Sequence, residues 1–238
     1  MIGKPTLDEE GRMDENRKQA RLAGVLYALV AVTAPIGLMY VPGQLLDVAD
    51  ATVTASRIAS HASLLRLGIA SELFHQTIEV FLVLVLFNLF KPVHLSLARH
   101  MAILGWMPIP IVFLNALNEV AALMLVSGAG FLSVFDKPQL DAAVLFFMRL
   151  HGYGLQLAAV FWGLWLFPFG ILVLRCGFIP KVLGWLVMAA GLGYLIGSFT
   201  SLIAPQFAQS LSNWVFLLEM GEPFMILWLL VFGARRSK

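Results

Sequence analysis

The chain has 238 residues, of which 60% are hydrophobic and 13% charged, and its mean hydropathy is +0.85; soluble domains carry about 25% charged residues, so that class is excluded. A net charge of +2 with no clustered basic patch excludes a nucleic-acid partner, and a single cysteine, Cys176, excludes an internal disulfide. The fold class this implies is an all-α polytopic bundle whose first partner is the lipid bilayer.

Residues 1–20 are polar and lack apolar periodicity, which predicts a disordered cytoplasmic tail ahead of one transmembrane domain over 21–238. The first apolar run begins near Leu22. Pro35, Met39, Tyr40 and Pro42 come after it where a cleaved leader has small residues, so the run reads as an uncleaved span. Spanning about 30 Å of hydrocarbon takes about 20 residues at a rise of 1.5 Å. Six segments qualify: 22–42, 64–90, 101–126, 145–174, 182–203 and 212–233. The second and fourth are long enough to tilt or to project beyond the membrane. In the loop 43–63, Asp50 is placed to cap a short interfacial helix that feeds the second span. Residues 136–148 can do the same for the fourth, starting at Asp136 or Lys137-Pro138.

Lysine and arginine set the orientation. With the N-terminus inside, twelve of the sixteen fall on the cytoplasmic side; only Arg57, Arg66, Lys137 and Arg149 fall outside. The positive-inside rule therefore predicts N-in, C-in.

Five glutamates lie within the apolar runs: Glu72, Glu79, Glu119, Glu219 and Glu222. A charge at mid-membrane costs about 2.5–3.5 kcal/mol even on the lenient insertion scale, so each needs a partner, a proton or a cation. At 100° per residue Glu72, His75, Gln76 and Glu79 share one face of the second span, within about 100° of arc. Asn115, Asn118 and Glu119 cluster on the third, Glu219 and Glu222 lie a turn apart on the sixth, and the fourth adds Arg149 and His151. Counted from the cytoplasmic anchors at 1.5 Å per residue, Glu79 and Glu222 lie about 18–20 Å up, and Glu72 and Glu119 about 30 Å up. An acidic pocket opening outward is expected, lined by Glu72, His75, Glu79, Asn115, Glu119, Arg149, His151, Glu219 and Glu222. Arg149 and His151 are its counter-groups, and Glu79 and Glu222 its deepest pair. Pro223 cannot donate to the carbonyl of Glu219, as in broken-helix cation sites. Pro35, Pro108, Pro110 and Pro168 read as ordinary kinks.

The glutamate cluster supports three readings. The first is a pocket that binds or transports a cation, a proton or a cationic small molecule. The second is a metal-dependent enzyme: Glu72-x-x-His75 has the Glu-x-x-His spacing of carboxylate metal bundles, with Glu72, His75 and Glu79 as ligands of a divalent metal and Glu119 or Glu219 as alternatives to Glu79. The usual zinc-protease pattern His-Glu-x-x-His is absent. The third is a structural polar core that recruits a partner. Ala189, Gly193, Gly197 and Ser201 form a small-residue stripe on the fifth span, a surface for another helix of the chain or for a second copy in a homodimer.

Several short motifs recur in a recognisable order: Arg21-Leu-Ala-Gly-Val-Leu-Tyr27, Arg66-Leu-Gly68, Lys91-Pro92-Val93, Leu150-His151-Gly152-Tyr153-Gly154, and Gly177-Phe178-Ile179-Pro180-Lys181-Val182-Leu183-Gly184. Gly221-Glu222 with Leu227-Trp228-Leu229-Leu230 closes the series. Over about residues 17–236 the chain resembles the bacterial six-helix membrane proteins catalogued as domain of unknown function 4386. The resemblance implies six spans in a bacterial cytoplasmic membrane and brings no established activity. His151 and Glu222 match positions characteristic of that family, and an acid is usual near Glu72, whereas His75 matches none. The orientation is checked by fusions at the C-terminus: a fluorescent cytoplasmic reporter should light up, and an enzyme active only outside the cytoplasm should stay silent.

Overall fold

The computed structural model describes residues 7–235. Lys4, Arg236 and Lys238 of the charge count, and residues 1–6 of the tail, lie outside the described residues. Every regular element among the described residues is helical, as lipid requires of a chain that must satisfy its own backbone groups. The helices are α1 (Leu7–Pro35), α2 (Val41–Leu45), α3 (Ala51–Ser60), α4 (Ala62–Phe90), α5 (Leu95–Trp106), α6 (Pro108–Leu125), α7 (Lys137–Cys176), α8 (Lys181–Ile203), α9 (Ala208–Glu219) and α10 (Gly221–Val231). They make six apolar spans: Met13–Leu45, Ala62–Phe90, Leu95–Leu125, Lys137–Cys176, Lys181–Ile203 and Pro205–Val231. An even number of crossings returns the chain to the side on which it began.

Prolines shape three of the spans. Pro35 ends α1, and a π-helical turn over Ile36–Tyr40 comes next, with the Val41 amide reaching back to the carbonyl of Ile36; a proline that cannot donate invites such a change of register. The third span breaks at Met107, before Pro108, and the sixth breaks at Met220, three residues before Pro223.

Two expectations are corrected. Residues 7–20, expected to be disordered, are the first turns of α1. Once a packed helix exists, extending it into polar residues is inexpensive. Here Ala20 and Ala23 are fully buried and Lys18 pairs with Asp14 at 2.8 Å. Residues 136–148 do not form a separate helix. They open the 40-residue α7, because neither glycine nor proline interrupts the chain between Pro138 and Gly152. The start is as expected: the Gln139 amide donates to the Asp136 carboxylate at 2.9 Å, and the Asp136 amide donates to the Gln139 side chain at 3.1 Å, a reciprocal cap. Helix α3 forms where Asp50 was placed to cap it, with the Val53 amide donating to the Asp50 carboxylate at 3.0 Å.

The chain divides into two compact units. Unit one comprises Met1–Leu29, Ile78–Pro108 and Ala159–Lys238. Its core is aromatic, with Trp165 stacked on Phe169 at 5.4 Å and Phe90 edge-on to Phe169 at 5.7 Å. Within it, a Cβ on Gly193 would meet the Leu218 side chain at 3.0 Å, and one on Gly197 would meet Val215 at 3.2 Å. Gly193 and Gly197 of the small-residue stripe are therefore covered by α9 of the same chain, the close approach that small residues permit, rather than standing free for a second copy. Unit two comprises Val30–Thr77 and Ile109–Ala158. Its core joins Val41, Leu45, Ile58, Leu65, Ala122, Val144 and Met148, so α3 packs into the unit through Ala55 and Ile58.

Two glycines test this packing with opposite signs. A Cβ on Gly221 would collide with the backbone carbonyl of Leu186, whereas one on Gly152 meets nothing within 4 Å. In thermal melts of the detergent-solubilised protein, Gly221→Ala should lose about 1–3 kcal/mol. Gly152→Ala should be neutral or gain up to about 1 kcal/mol.

Candidate functional site

In unit two, α4, α6 and α7 each bring one ionisable side chain to a common point. Glu72, Glu119 and His151 each offer an atom within 4.8 Å of the others. His151 Nε2 lies 3.1 Å from Glu72 Oε2 and 3.7 Å from Glu119 Oε2. Both glutamates are 0% exposed and His151 is 2% exposed. No protein hydrogen-bond partner reaches Glu72 Oε1 or either oxygen of Glu119 among the described residues. Since Nε2 faces two carboxylates, it either donates a proton to them or shares a cation with them.

Neighbouring groups hold the three in place. A Cβ on Gly37 would lie 2.6 Å from Glu72 Cγ and 2.8 Å from the Gly68 carbonyl, so the π-helical turn comes against the Glu72 side chain because it carries a glycine there. The Ser71 hydroxyl donates to the Thr33 carbonyl at 2.7 Å, two residues before Pro35. The Asn115 amide donates to the His151 carbonyl at 2.9 Å, and Asn118 donates to the Asn115 side chain at 3.0 Å. A side chain at Gly154 would overlap the Asn115 amide, which gives that glycine a steric reason to be small.

His75 is turned to other partners. Its Nδ1 is 3.1 Å from the Ser71 carbonyl, which makes that nitrogen the donor, and Gln76 Nε2 approaches its Nε2 at 3.1 Å. Of the expected metal ligands Glu72, His75 and Glu79, only Glu72 belongs to the group that can hold an ion; Glu119 and His151 complete it. The helical spacing Glu-x-x-His was a weaker guide than the convergence of three helices. Arg149 is exposed and donates to the Val48 carbonyl. Arg66 lines an open groove with Ile69, Leu73, Val120 and Met124.

Unit one holds a second polar group. The Tyr27 hydroxyl donates to Glu222 Oε1, and Tyr194 lies within electrostatic reach of Glu222. Glu79, 5% exposed, lies within electrostatic reach of both tyrosines, and Glu219 within reach of Tyr194. Trp165 flanks Tyr27 at 6.2 Å between ring centres. Neither tyrosine stood out in the sequence, because one polar tip in an apolar helix resembles an interfacial residue.

The sequence profile of the family described as Domain of unknown function (DUF4386) matches residues 22–233. An uncharacterized protein of Archaeoglobus fulgidus is 32% identical over 84 residues, which cover 35% of this chain and 49% of that protein. The chain thus spans about half the length of the curated relative it matches. No solved structure matches.

Gly37 links backbone to site. Gly37→Ala should displace Glu72 and destabilise the protein by about 1–3 kcal/mol. Solubilised protein that still folds should show a lower melting temperature than wild type.

Proposed function

The chain belongs to the DUF4386 family, which brings no assigned activity, and we propose that it is an integral membrane protein that binds a cation at Glu72, Glu119 and His151. The observation that carries this reading is the Glu119 carboxylate: fully buried, with neither oxygen hydrogen bonded among the described residues. A carboxylate left so is costly unless a cation or a proton neutralises it. A purely structural core would be expected to supply a donor, as Tyr27 does for Glu222. Asn115 is proposed to act through His151, whose backbone it holds, and Gly37 through Glu72.

The charge bias supports termini in the cytoplasm, and a rise of about 1.5 Å per residue supports Glu72 and Glu119 as the outermost of the five glutamates; the proposed access is from outside, across a bacterial cytoplasmic membrane. His75 and Arg149, in the same unit, remain proposed as further groups that hold or guide the cation; Glu79 and Glu219 are proposed as a separate acidic group of unit one, where Glu222 has the Tyr27 hydroxyl as its donor. For transport, the supporting features are the broken sixth span and its two carboxylates.

The test uses the full chain in detergent, melted in a panel of monovalent, divalent and organic cations. A bound cation at 100 times its Kd adds about 2.7 kcal/mol of stability. At least one cation should raise the wild-type melting temperature, Glu119→Gln should abolish the shift, and Glu222→Gln should keep it. A panel with no shift, or a shift unchanged in Glu119→Gln, contradicts the proposal.

A further inference from the structure

We infer that the cation is a divalent first-row transition metal of the zinc type, held by Glu72, Glu119 and His151 with a fourth coordination position open to a small exogenous ligand. This rests on the cation-binding reading and adds the chemical class of the ion.

Three observations point there. The first is the donor set. An imidazole nitrogen beside two carboxylates suits zinc and its first-row neighbours, whereas calcium takes six to eight oxygens and magnesium an octahedron of oxygens. The second is spacing. Tetrahedral zinc with bonds of about 2.0–2.1 Å holds its donor atoms about 3.3 Å apart. The separations from His151 Nε2 are 3.1 Å to Glu72 and 3.7 Å to Glu119, on either side of that value. An ammonium group, which needs about 2.7–2.9 Å to each acceptor, sits less well among atoms this close. The third is charge and saturation. Two carboxylates with a neutral imidazole carry two negative charges, which one divalent ion cancels. No lysine or arginine pairs with Glu72 or Glu119 among the described residues. Three protein ligands leave a tetrahedral ion one position short, the arrangement that distinguishes reactive or exchanging zinc sites from closed structural ones. Cys176, the one cysteine thiol that could compete for the ion, is outside the group.

The experiment strips the full-length detergent-purified protein of metal and titrates it with zinc, cobalt(II), magnesium and calcium chlorides. Zinc should bind at one equivalent per chain by elemental analysis after desalting. Glu119→Gln should weaken it at least tenfold, and Glu222→Gln should not. The cobalt form of the wild-type protein should show the intense visible bands of a four-coordinate ion without a thiolate band, a readout that survives if the variant fails to fold. A six-coordinate or thiolate cobalt spectrum overturns the assignment. So does zinc affinity unchanged in a folded Glu119→Gln. A Glu119-dependent response to magnesium, calcium or an organic cation but not to zinc overturns the metal class and leaves the cation reading standing. No response to any cation removes both.

Discussion

A carboxylate buried in a membrane protein must be satisfied by donors, by a proton or by a cation, and this constraint explains why the polar groups here are arranged as they are. The chain meets it in two ways. In unit one, Glu222 accepts from the Tyr27 hydroxyl, so a neutral donor from α1 shares its charge. In unit two, Glu72 and Glu119 converge on one imidazole nitrogen and keep three oxygens with no hydrogen-bond partner among the described residues. The contrast between a carboxylate supplied with a donor and one left without is what supports the proposed cation site in unit two.

Backbone irregularities help to build the second arrangement. The Ser71 hydroxyl donates to the Thr33 carbonyl, two residues before Pro35. The π-helical turn beyond that proline brings Gly37 against the Glu72 side chain. π-helical turns are often found at functional sites, and here the turn fixes which way a buried acid points. The break at Met220 likewise falls between two residues that carry polar chemistry, Glu219 and Glu222, three residues before Pro223.

The helical fold was legible because lipid leaves few alternatives. Runs of about 20 apolar residues, charge bias and the Asp50 cap each answer to one local rule. Boundaries were less so. The polar start of α1 is helical because the packed apolar turns from Ala20 onward anchor it, and α7 continues because nothing stops it. Within the site, Glu72, Glu119 and His151 were each visible as intramembrane ionisable residues, but which three would meet depends on how α4, α6 and α7 pack. One-helix spacing favoured His75 over His151, and the tertiary arrangement reverses that choice, with His75 held by Ser71 and Gln76. Tyr27, Tyr194 and Gly37 matter through partners far along the chain, and no local pattern signals them.

The central claim is that Glu72, Glu119 and His151 ligate an ion together. Anomalous diffraction at the zinc edge from crystals of the zinc-loaded full chain tests it most directly. A single strong peak within bonding distance of those three side chains, about 2.0–2.2 Å, is the predicted result. An absent peak, or one placed on Cys176 or on surface histidines, would contradict the account.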